Sequence, residues 1–371
     1  MKKKKHVVIL YRVVQHWRAP FFELLNKDEN LDVSVWHGPD FSNSKLISTA
    51  KTFKFNKRKL FSLKIKLKTN NGKAFMPFSP FLFFSLIFKN PDVVITEGAS
   101  NLLNSIQGFI YAKLFRKKFL WWSLGKIKNR SHGKVRSAFD NFIKYIERKS
   151  DAIISYSSRG KEYFLSTGVN EENIFVAVNV VDTEKIIKNL NKENYKSPFD
   201  FTVLFVGALT KEKNIDTLIK SFDKLKDYGK SIGLLIVGDG DYRVSLEKLV
   251  EKLELENVIF LGKRIEDNHL FFNAANLFVL PGLGGLAISE AMCYKLPVLC
   301  SIGDGCEVDL VTTKNGIIEE DMTKDNLAKH ILWFYKNPSI VKEMSNQSYK
   351  IIESKFNTSN YVNKIKDAIN S

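Results

Sequence analysis

The chain has 371 residues, of which 44% are hydrophobic and 26% charged, and this length exceeds what one hydrophobic core usually serves. Two domains of ordinary size are therefore expected, with the composition of a soluble globular protein. Its three cysteines, Cys293, Cys300 and Cys306, are odd in number and lack a paired metal-binding spacing. This pattern favours free thiols in a reducing cytoplasm.

The net charge of +17 is unevenly distributed. Residues 1–181 contain 32 Lys and Arg against 13 Asp and Glu, whereas the remainder contains 25 against 27. Between Asp40 and Asp140 the only acidic residues are Asp92 and Glu97. A basic half of this kind points to a polyanionic surface, either nucleic acid or the anionic inner leaflet of a membrane.

The first half begins as a basic tail that leads into a buried strand. MKKKKHVVILYR resembles the start of a secretion signal, but Arg12 interrupts its apolar part and no small-residue cleavage site follows. The pattern then predicts alternating strands and helices. The strands are predicted at residues 7–10, 33–36, 93–96, 119–122, 153–156 and 174–178, and the helices near Phe21 and at 102–115, 139–149 and 161–166.

Residues 51–73 interleave Lys and Arg with Phe and Leu, and they precede the longest apolar run, residues 75–88. That run is too short to cross a bilayer and contains two prolines. One interpretation is a membrane-surface patch, attracted to anionic lipids by its charge and held by aromatic insertion. The other is a buried helix at 75–88 beneath a solvated basic loop. We expect the buried helix for the Phe-rich run, and a membrane partner for the charge asymmetry as a whole.

The polar segment at 182–200 is typical of an interdomain linker. Beyond it, apolar strands are predicted at 201–206, 232–237, 258–261, 277–280 and 298–300, with helices between them at sites such as 215–225 and 244–253. Strands separated by helices predict an α/β fold with a doubly wound parallel sheet. Ligands of such sheets bind beyond the carboxyl ends of the strands.

Residues 280–299, LPGLGGLAISEAMCYKLPVL, form a strand, a glycine turn, a helix and a second strand. The turn exposes backbone N–H groups at a helix start, where an anion such as phosphate binds well. Glu290 stands inside that helix, where a carboxylate can accept hydrogen bonds from sugar hydroxyls. Alternatively, Gly282, Gly284 and Gly285 only allow close packing of strand and helix.

This segment resembles that of retaining GT-B glycosyltransferases of family 4, the glycosyl transferases group 1, of the bacterial polysaccharide-biosynthesis type. The resemblance implies two Rossmann-like doubly wound domains facing each other across a cleft. It divides the chain into an acceptor-binding domain at 1–181, a linker at 182–200, a nucleotide-sugar-binding domain at 201–355, and a C-terminal helix at 356–371 that crosses back to the first domain. In this family the ribose-binding Glu falls on Glu290, and the Glu that contacts the donor sugar falls on Gly282.

Further motifs of the second half also resemble the family. GALTKEK, which begins at Gly207, resembles the turn in which an Arg and a Lys hold the diphosphate; Lys213 matches the Lys, whereas Ala208 stands at the Arg position. FLGKR places Lys263 and Arg264 where the backbone contacts the base. The resemblance assigns catalytic roles to Lys213 and Glu290. It assigns donor binding to Gly207, Lys213, Lys263, Arg264, Gly282, Gly284, Gly285, Leu286 and Glu290.

In the first half the resemblance implies an acceptor side of the cleft. YRVVQHWRAP places His16 and Arg18 in the loop after the first strand, and Arg18 either assists the diphosphate or acceptor or belongs to a surface loop that closes on Pro20. Glu97 follows another strand, with a salt bridge as its structural alternative. Ser123 stands where many relatives carry a His, so no catalytic base is assigned.

The sequence therefore predicts a retaining glycosyltransferase, peripheral on the cytoplasmic face of the plasma membrane. It would transfer a hexosyl or N-acetylhexosaminyl group from a nucleotide sugar, with a UDP-sugar favoured, to a lipid-linked glycan or a growing surface polysaccharide. The expected partners include an anionic membrane but no nucleic acid, and no metal or other cofactor is expected. The alternative is a nucleotide-sugar-binding protein with a degenerate site, as Gly282 and Ala208 suggest.

Overall fold

The computed structural model describes residues 4–39, 52–69, 72–126, 134–190, 192–193 and 195–371. The chain divides into two compact units. Unit 1 comprises Met1–Val178 and Ser359–Ser371, and unit 2 comprises Asn179–Thr358. Residues 182–200, which we expected to link the domains, fall within unit 2 and contain a short helix whose Thr183 is buried against Thr358. None of the helices in the described ranges has the length and apolar character needed to cross a bilayer.

Unit 1 is built on a parallel sheet of seven strands in the order β3-β2-β1-β6-β7-β8-β9. The strands are β1 (Lys5–Tyr11), β2 (Leu31–His37), β3 (Lys57–Lys59), β6 (Val93–Thr96), β7 (Lys118–Ser123), β8 (Ala152–Ser155) and β9 (Ile174–Val176), and an antiparallel hairpin is made by β4 (Leu63–Thr69) and β5 (Gly72–Phe78). Every residue of β6 and β8 is buried, as in strands covered on both faces.

Helices complete unit 1. They are α1 (Ala19–Asn26), α2 (Leu82–Lys89), α3 (Leu102–Leu114), α4 (Lys134–Lys149), α5 (Ser158–Ser166) and the C-terminal α14 (Thr358–Asn370). The core contains large buried side chains such as Trp36, Trp121 and Phe164. Near the C-terminus, the Lys5 and Lys118 ammonium groups both donate to the carbonyl oxygen of Ile369, which ties the end of α14 to this unit.

The expectation of a buried helix across residues 75–88 is wrong. Phe75 and Phe78 belong to β5, and the helix α2 starts only at Leu82, after Pro77 and Pro80. Proline lacks an N–H and restricts the residue before it, so the run cannot continue as one helix. The basic segment before it is not a simple loop either, since it contains β3 and β4. Residues 51, 70 and 71 of that segment lie outside the described residues.

Unit 2 contains a second parallel sheet, of six strands in the order β12-β11-β10-β13-β14-β15. These are β10 (Phe201–Val206), β11 (Ile232–Val237), β12 (Val258–Gly262), β13 (Leu277–Leu280), β14 (Val298–Cys300) and β15 (Gly316–Ile318). The helices of the unit are α6 (Thr183–Ile187), α7 (Ile215–Asp223), α8 (Arg243–Lys252), α9 (Asn268–Ala274), α10 (Leu286–Cys293), α11 (Glu307–Leu310), α12 (Lys324–Lys336) and α13 (Pro338–Ser354). The predicted strands of this half are confirmed, and β15 is added to them.

The register of unit 2 aligns the strand ends that matter for a ligand. Val203 of β10 lies beside Leu277 of β13, and Leu280 lies beside Cys300 of β14. Because all three strands are parallel, the loops that follow them leave the sheet at the same edge. We call this edge the carboxyl edge of unit 2.

Candidate donor-binding site in unit 2

Three loops meet at the carboxyl edge of unit 2. The loop after β10 forms a short 3-10 turn, Lys211–Lys213, and the glycine turn at 281–285 follows β13. The N–H of Leu283 donates to the carbonyl oxygen of Glu212 at 3.0 Å, and the Asn214 side-chain amide donates to the carbonyl oxygen of Pro281 at 3.4 Å. The third loop, after β14, touches the glycine turn through Gly303 and Asp304.

Close packing explains why Gly282 carries no side chain. A Cβ built on Gly282 would overlap the Glu212 carbonyl oxygen and lie 2.7 Å from that of Lys213, both of them backbone atoms of the 3-10 turn. A glutamate at this position therefore requires the Lys211–Lys213 turn to move. The missing family Glu is thus linked to how the neighbouring loop packs.

Lys213 reaches into the glycine turn. Its ammonium donates a hydrogen bond to the carbonyl oxygen of Leu283, and it occupies the space that a Cβ on Gly284 would need. Gly284 has a φ of +137°, a conformation that other residues rarely adopt. Burial lowers the pKa of Lys213, while the nearby Asp304 and Glu307 act in the opposite direction. The turn therefore presents a partly desolvated cation beside half-buried backbone.

Two carboxyl groups complete this corner, one on Asp304 of the third loop and one on Glu307 at the start of α11, and neither was predicted from the sequence. Gly285 caps the start of α10. A Cβ built on Gly285 would lie 2.7 and 3.1 Å from the two carboxyl oxygens of Asp304. Glu307 is buried and accepts hydrogen bonds from the N–H groups of Asp304 and Gly305 at 3.1 and 2.8 Å. Burial, reinforced by the charge of Asp304, raises the pKa of Glu307. The acid-rich turn after β14 was the available signal.

Glu290 lies in α10, and its partner is Asn268 at the start of α9. The Asn268 side-chain amide donates to a Glu290 carboxyl oxygen at 2.6 Å. Although the residue keeps some exposed area, protein surrounds its carboxyl group, and this desolvation raises the pKa of Glu290 to about 7 despite the hydrogen bond from Asn268. The bond from Asn268 uses one carboxyl oxygen, Oε1, and a carboxyl group has further lone pairs that can accept hydrogen bonds.

Lys263 and Arg264 lie in the loop between β12 and α9, shortly before Asn268 in the chain. Both are exposed. The Arg264 guanidinium forms an ion pair with Asp267 at 3.1 Å and stacks over the Phe271 ring at 5.7 Å. Its side chain is therefore committed to local structure, which agrees with a contact made through the backbone of this loop. Leu286 is the first residue of α10, and Gly207 follows β10 directly.

The residues predicted for the acceptor lie in unit 1 and differ in their surroundings. His16 is exposed and contacts the Trp17 ring edge-on at 4.9 Å. Glu97 accepts a hydrogen bond from the Arg12 N–H at 2.7 Å, and burial raises its pKa. Ser123 accepts from the N–H of Gly125 at 3.2 Å, and its Cβ lies 2.9 Å from a Cβ built on Gly98. Glu97 follows β6 directly, and Ser123 ends the neighbouring strand β7.

Arg18 is enclosed rather than located in a surface loop. It is 2% exposed, and it donates a hydrogen bond to the Tyr361 hydroxyl of α14. Its guanidinium lies 5.0 to 5.5 Å from the ring centroids of four aromatic residues, namely Phe21, Trp122, Tyr156 and Tyr361. In this structure the side chain stabilises unit 1 and faces no solvent.

Among the described residues, no group of three or more His, Cys, Asp or Glu side chains is arranged to hold a metal ion. The cysteines Cys293, Cys300 and Cys306 are free and buried. The groups described at the carboxyl edge of unit 2 include backbone N–H groups, the Lys213 ammonium and the carboxyl groups of Glu290, Asp304 and Glu307.

Comparison with known proteins shows what this part of the chain is similar to. Residues 170–351 match the family model described as Glycosyl transferases group 1. The matched range includes the three loops at the carboxyl edge of unit 2, together with Lys213 and Glu290.

Two relatives of this chain are named as glycosyltransferases. An uncharacterized glycosyltransferase of Methanocaldococcus jannaschii is 27% identical over 298 residues, which is 74% of each chain. The capsular polysaccharide biosynthesis glycosyltransferase CapM of Staphylococcus aureus is 26% identical over 239 residues, or 59% of this chain and 63% of CapM. The crystal structure of Anabaena HepE in complex with UDP covers 100% of both chains, with a TM-score of 0.75 at 16% identity. The predicted α/β fold of the GT-B type is thereby confirmed.

Proposed function

We propose that this protein is a retaining family 4 glycosyltransferase that transfers a sugar from a nucleotide-sugar donor. The observation that carries the proposal is the meeting of Lys213, the glycine turn and the start of α10 at one sheet edge, with Glu290 in the same helix. The helix start and the ammonium suit a diphosphate, and the carboxyl group of Glu290 suits a pair of ribose hydroxyls. The UDP complex of the HepE neighbour supports a UDP-sugar as donor.

In the proposed reaction, the bond between the sugar anomeric carbon and the diphosphate oxygen breaks as the acceptor hydroxyl attacks from the same face. The departing phosphate takes the acceptor proton, so no separate protein base is needed. Negative charge grows on the diphosphate, and groups that are already oriented towards it lower the barrier. The backbone N–H groups of Gly285 and Leu286 and the Lys213 ammonium would supply this stabilisation, without a metal.

The acceptor that we propose is a lipid-linked glycan or a growing surface polysaccharide, and the sugar is a hexosyl or N-acetylhexosaminyl group. The capsular polysaccharide role of CapM supports this class of product. The excess of Lys and Arg in residues 1–181 supports a peripheral location on the cytoplasmic face of the plasma membrane. His16, Glu97 and Ser123 are the proposed acceptor-side residues, and nucleic acid is not a proposed partner.

The alternative is a protein that binds a nucleotide sugar but transfers little. Ala208 leaves the diphosphate with one cation fewer than the family pattern provides, and Gly282 has no carboxylate to contact the sugar. The Lys211–Lys213 turn fills the space beside Gly282, so this carboxylate cannot simply be restored. Binding without turnover is the outcome that this alternative predicts.

One assay separates the two. The protein is incubated with UDP-, GDP- and ADP-sugars and a lipid-linked acceptor, and free nucleotide is measured together with the anomeric configuration of the product. Transfer with retention supports the proposal, and nucleotide-sugar binding without release supports the alternative. Glu290→Ala should lose nucleotide affinity, whereas Glu256→Ala, a change at an exposed acid of the same unit, serves as the matched control.

A further inference from the structure

Helix α2 of unit 1 has two apolar faces, and only one of them is covered. Leu82 and Leu86, four residues apart, are 1% and 0% exposed and belong to the core of the unit. Phe81, which directly precedes the helix, and Phe84 and Phe88 within it lie on the other side, at spacings of three and four residues, and are 64%, 68% and 87% exposed. Single exposed apolar residues are common, but three neighbouring phenyl rings are not.

The exposed aromatic side continues onto the segment before the hairpin. The Phe61 ring is 66% exposed and lies 6.3 Å from the Phe81 ring, so the two form a contact at the surface. Leu63, at the start of β4, is 49% exposed. We call these five residues, Phe61, Leu63, Phe81, Phe84 and Phe88, the phenyl surface. Contiguous exposed apolar surface of this kind marks an interaction site.

Cations surround the phenyl surface in the chain. Lys64 follows Leu63, Lys89 follows Phe88, and Arg58 and Lys59 stand shortly before Phe61; all four are exposed. The two acidic residues that the sequence has between Asp40 and Asp140 are both engaged elsewhere. Asp92 pairs with Lys117 at 3.5 Å, and Glu97 accepts the N–H of Arg12. The segments that carry the phenyl surface are therefore strongly basic.

We propose that the phenyl surface inserts into the headgroup region of an anionic lipid bilayer. Phenyl rings partition into the boundary between headgroups and acyl chains, and lysines beside them contact lipid phosphates. A second copy of this chain fits less well, because pairing two such surfaces would bring like charges together. The inference rests on the proposed peripheral membrane association and names the surface that makes it, but it does not depend on sugar transfer.

The test compares vesicle binding by matched double variants. Phe84→Ser with Phe88→Ser removes two rings of the phenyl surface, and Val244→Ser with Ile265→Ser removes two exposed apolar side chains, 61% and 66% exposed, from unit 2. Flotation is measured with vesicles of phosphatidylglycerol and phosphatidylcholine (3:7) and of phosphatidylcholine alone. We expect the parent protein to bind the anionic vesicles and the phenyl double variant to bind at least about tenfold more weakly, with the control within about twofold of the parent.

Insertion itself has a separate readout. A Trp introduced at Phe88 should be quenched by brominated lipid in anionic vesicles, whereas a Trp introduced at Ile265 should not. Lys64→Glu with Lys89→Glu should weaken binding to anionic vesicles, and high salt should weaken binding of the parent protein. Equal melting temperatures of all variants exclude unfolding as the cause of a loss.

The outcomes distinguish the two levels of the proposal. If the parent protein fails to bind anionic vesicles at low salt, both the membrane association and this inference are overturned. If it binds and the phenyl double variant binds equally well, only the inference is overturned. The inference is also overturned if the protein is retained on RNA but does not bind vesicles. It is overturned as well if the parent protein is a dimer, and the phenyl double variant is a monomer whose flotation is unchanged. Nucleotide binding by the parent protein tests the donor site independently of all these results.

Discussion

Replacing Glu290 by Gln tests whether this carboxyl group is as desolvated as its surroundings indicate. Gln keeps the shape of the side chain and can still accept the hydrogen bond from Asn268. Burial raises the pKa of Glu290 from its ordinary value of 4.5 to about 7. Between these two values the folded protein binds a proton that the unfolded chain does not, so the stability contributed by this group falls as pH rises through the window.

The size of the effect follows from that pKa difference. One unit of pKa corresponds to roughly 1.4 kcal/mol, so the raised pKa favours the protonated over the ionised carboxyl group in the folded state by about 3 kcal/mol. This contribution to the free energy of unfolding is lost above pH 7. Glu290→Gln has no such dependence. Relative to the parent protein, the variant should gain up to about 3 kcal/mol in its free energy of unfolding between pH 5 and pH 8.

The same change should affect nucleotide binding in the opposite direction. Ribose hydroxyls donate hydrogen bonds more strongly to an ionised carboxylate than to a protonated carboxyl group. We therefore expect the ratio of the two UDP affinities, parent protein to Glu290→Gln, to rise between pH 5.5 and pH 8. The loss in the variant at pH 8 corresponds to about 1.5 to 3 kcal/mol, or roughly tenfold to a hundredfold in Kd.

Urea unfolding and isothermal calorimetry at four pH values measure both effects, with Glu256→Gln as the control at an exposed acid. A stability difference between parent and variant that stays constant from pH 5 to pH 8 would refute the desolvation of Glu290. An affinity ratio that is independent of pH would show that the ribose does not contact this carboxyl group.

Three further predictions concern the packing of the same structure. Gly282→Ala should lower the free energy of unfolding by about 1 to 3 kcal/mol, measured by urea titration, because its Cβ meets the backbone of the Lys211–Lys213 turn; unchanged stability would contradict that packing. Lys213→Ala should weaken UDP binding by roughly tenfold or more in calorimetry, because a charge-assisted contact is lost, and UDP affinity equal to that of the parent would show that Lys213 does not reach the diphosphate. Arg18→Ala should cost at least about 2 kcal/mol and increase hydrogen exchange in α14, because four aromatic rings and the Tyr361 hydroxyl lose their cation; unchanged exchange in α14 would be the contrary result.

Much of the fold was predictable because its strands are short, apolar and bounded by turn residues. The strand boundaries at Phe201–Val206, Ile232–Val237 and Leu277–Leu280 agree with the sequence pattern residue for residue. Such strands are buried on both faces, so nearly every residue in them is apolar. The Phe-rich run at 75–88 misled us because apolar content alone does not say which face of a helix is covered, and its prolines divide it between β5 and α2.

The candidate site was predictable where one segment contains the whole pattern. The glycine turn and Glu290 are adjacent in sequence, and so are the turn at Lys213 and the strand before it. Asn268 and Asp304 were not found, because each reaches the site from a different segment, and the acids after β14 do not by themselves indicate what they contact. The sequence left Arg18 open between a contact with the diphosphate or acceptor and a surface loop, and its enclosure was not predicted because it involves Tyr361, more than three hundred residues away in the chain.

The sequence by itself therefore determined the alternation of strands and helices, the basic first half and the positions of Lys213 and Glu290, since these depend on local periodicity and composition. Only the tertiary structure decided why Gly282 has no side chain, that Glu290 is desolvated beside Asn268, and that Phe84 and Phe88 remain exposed. Each of these depends on which distant segments pack together. Packing excludes water from some groups and leaves others in contact with it, and this sets their charge and their availability to a partner.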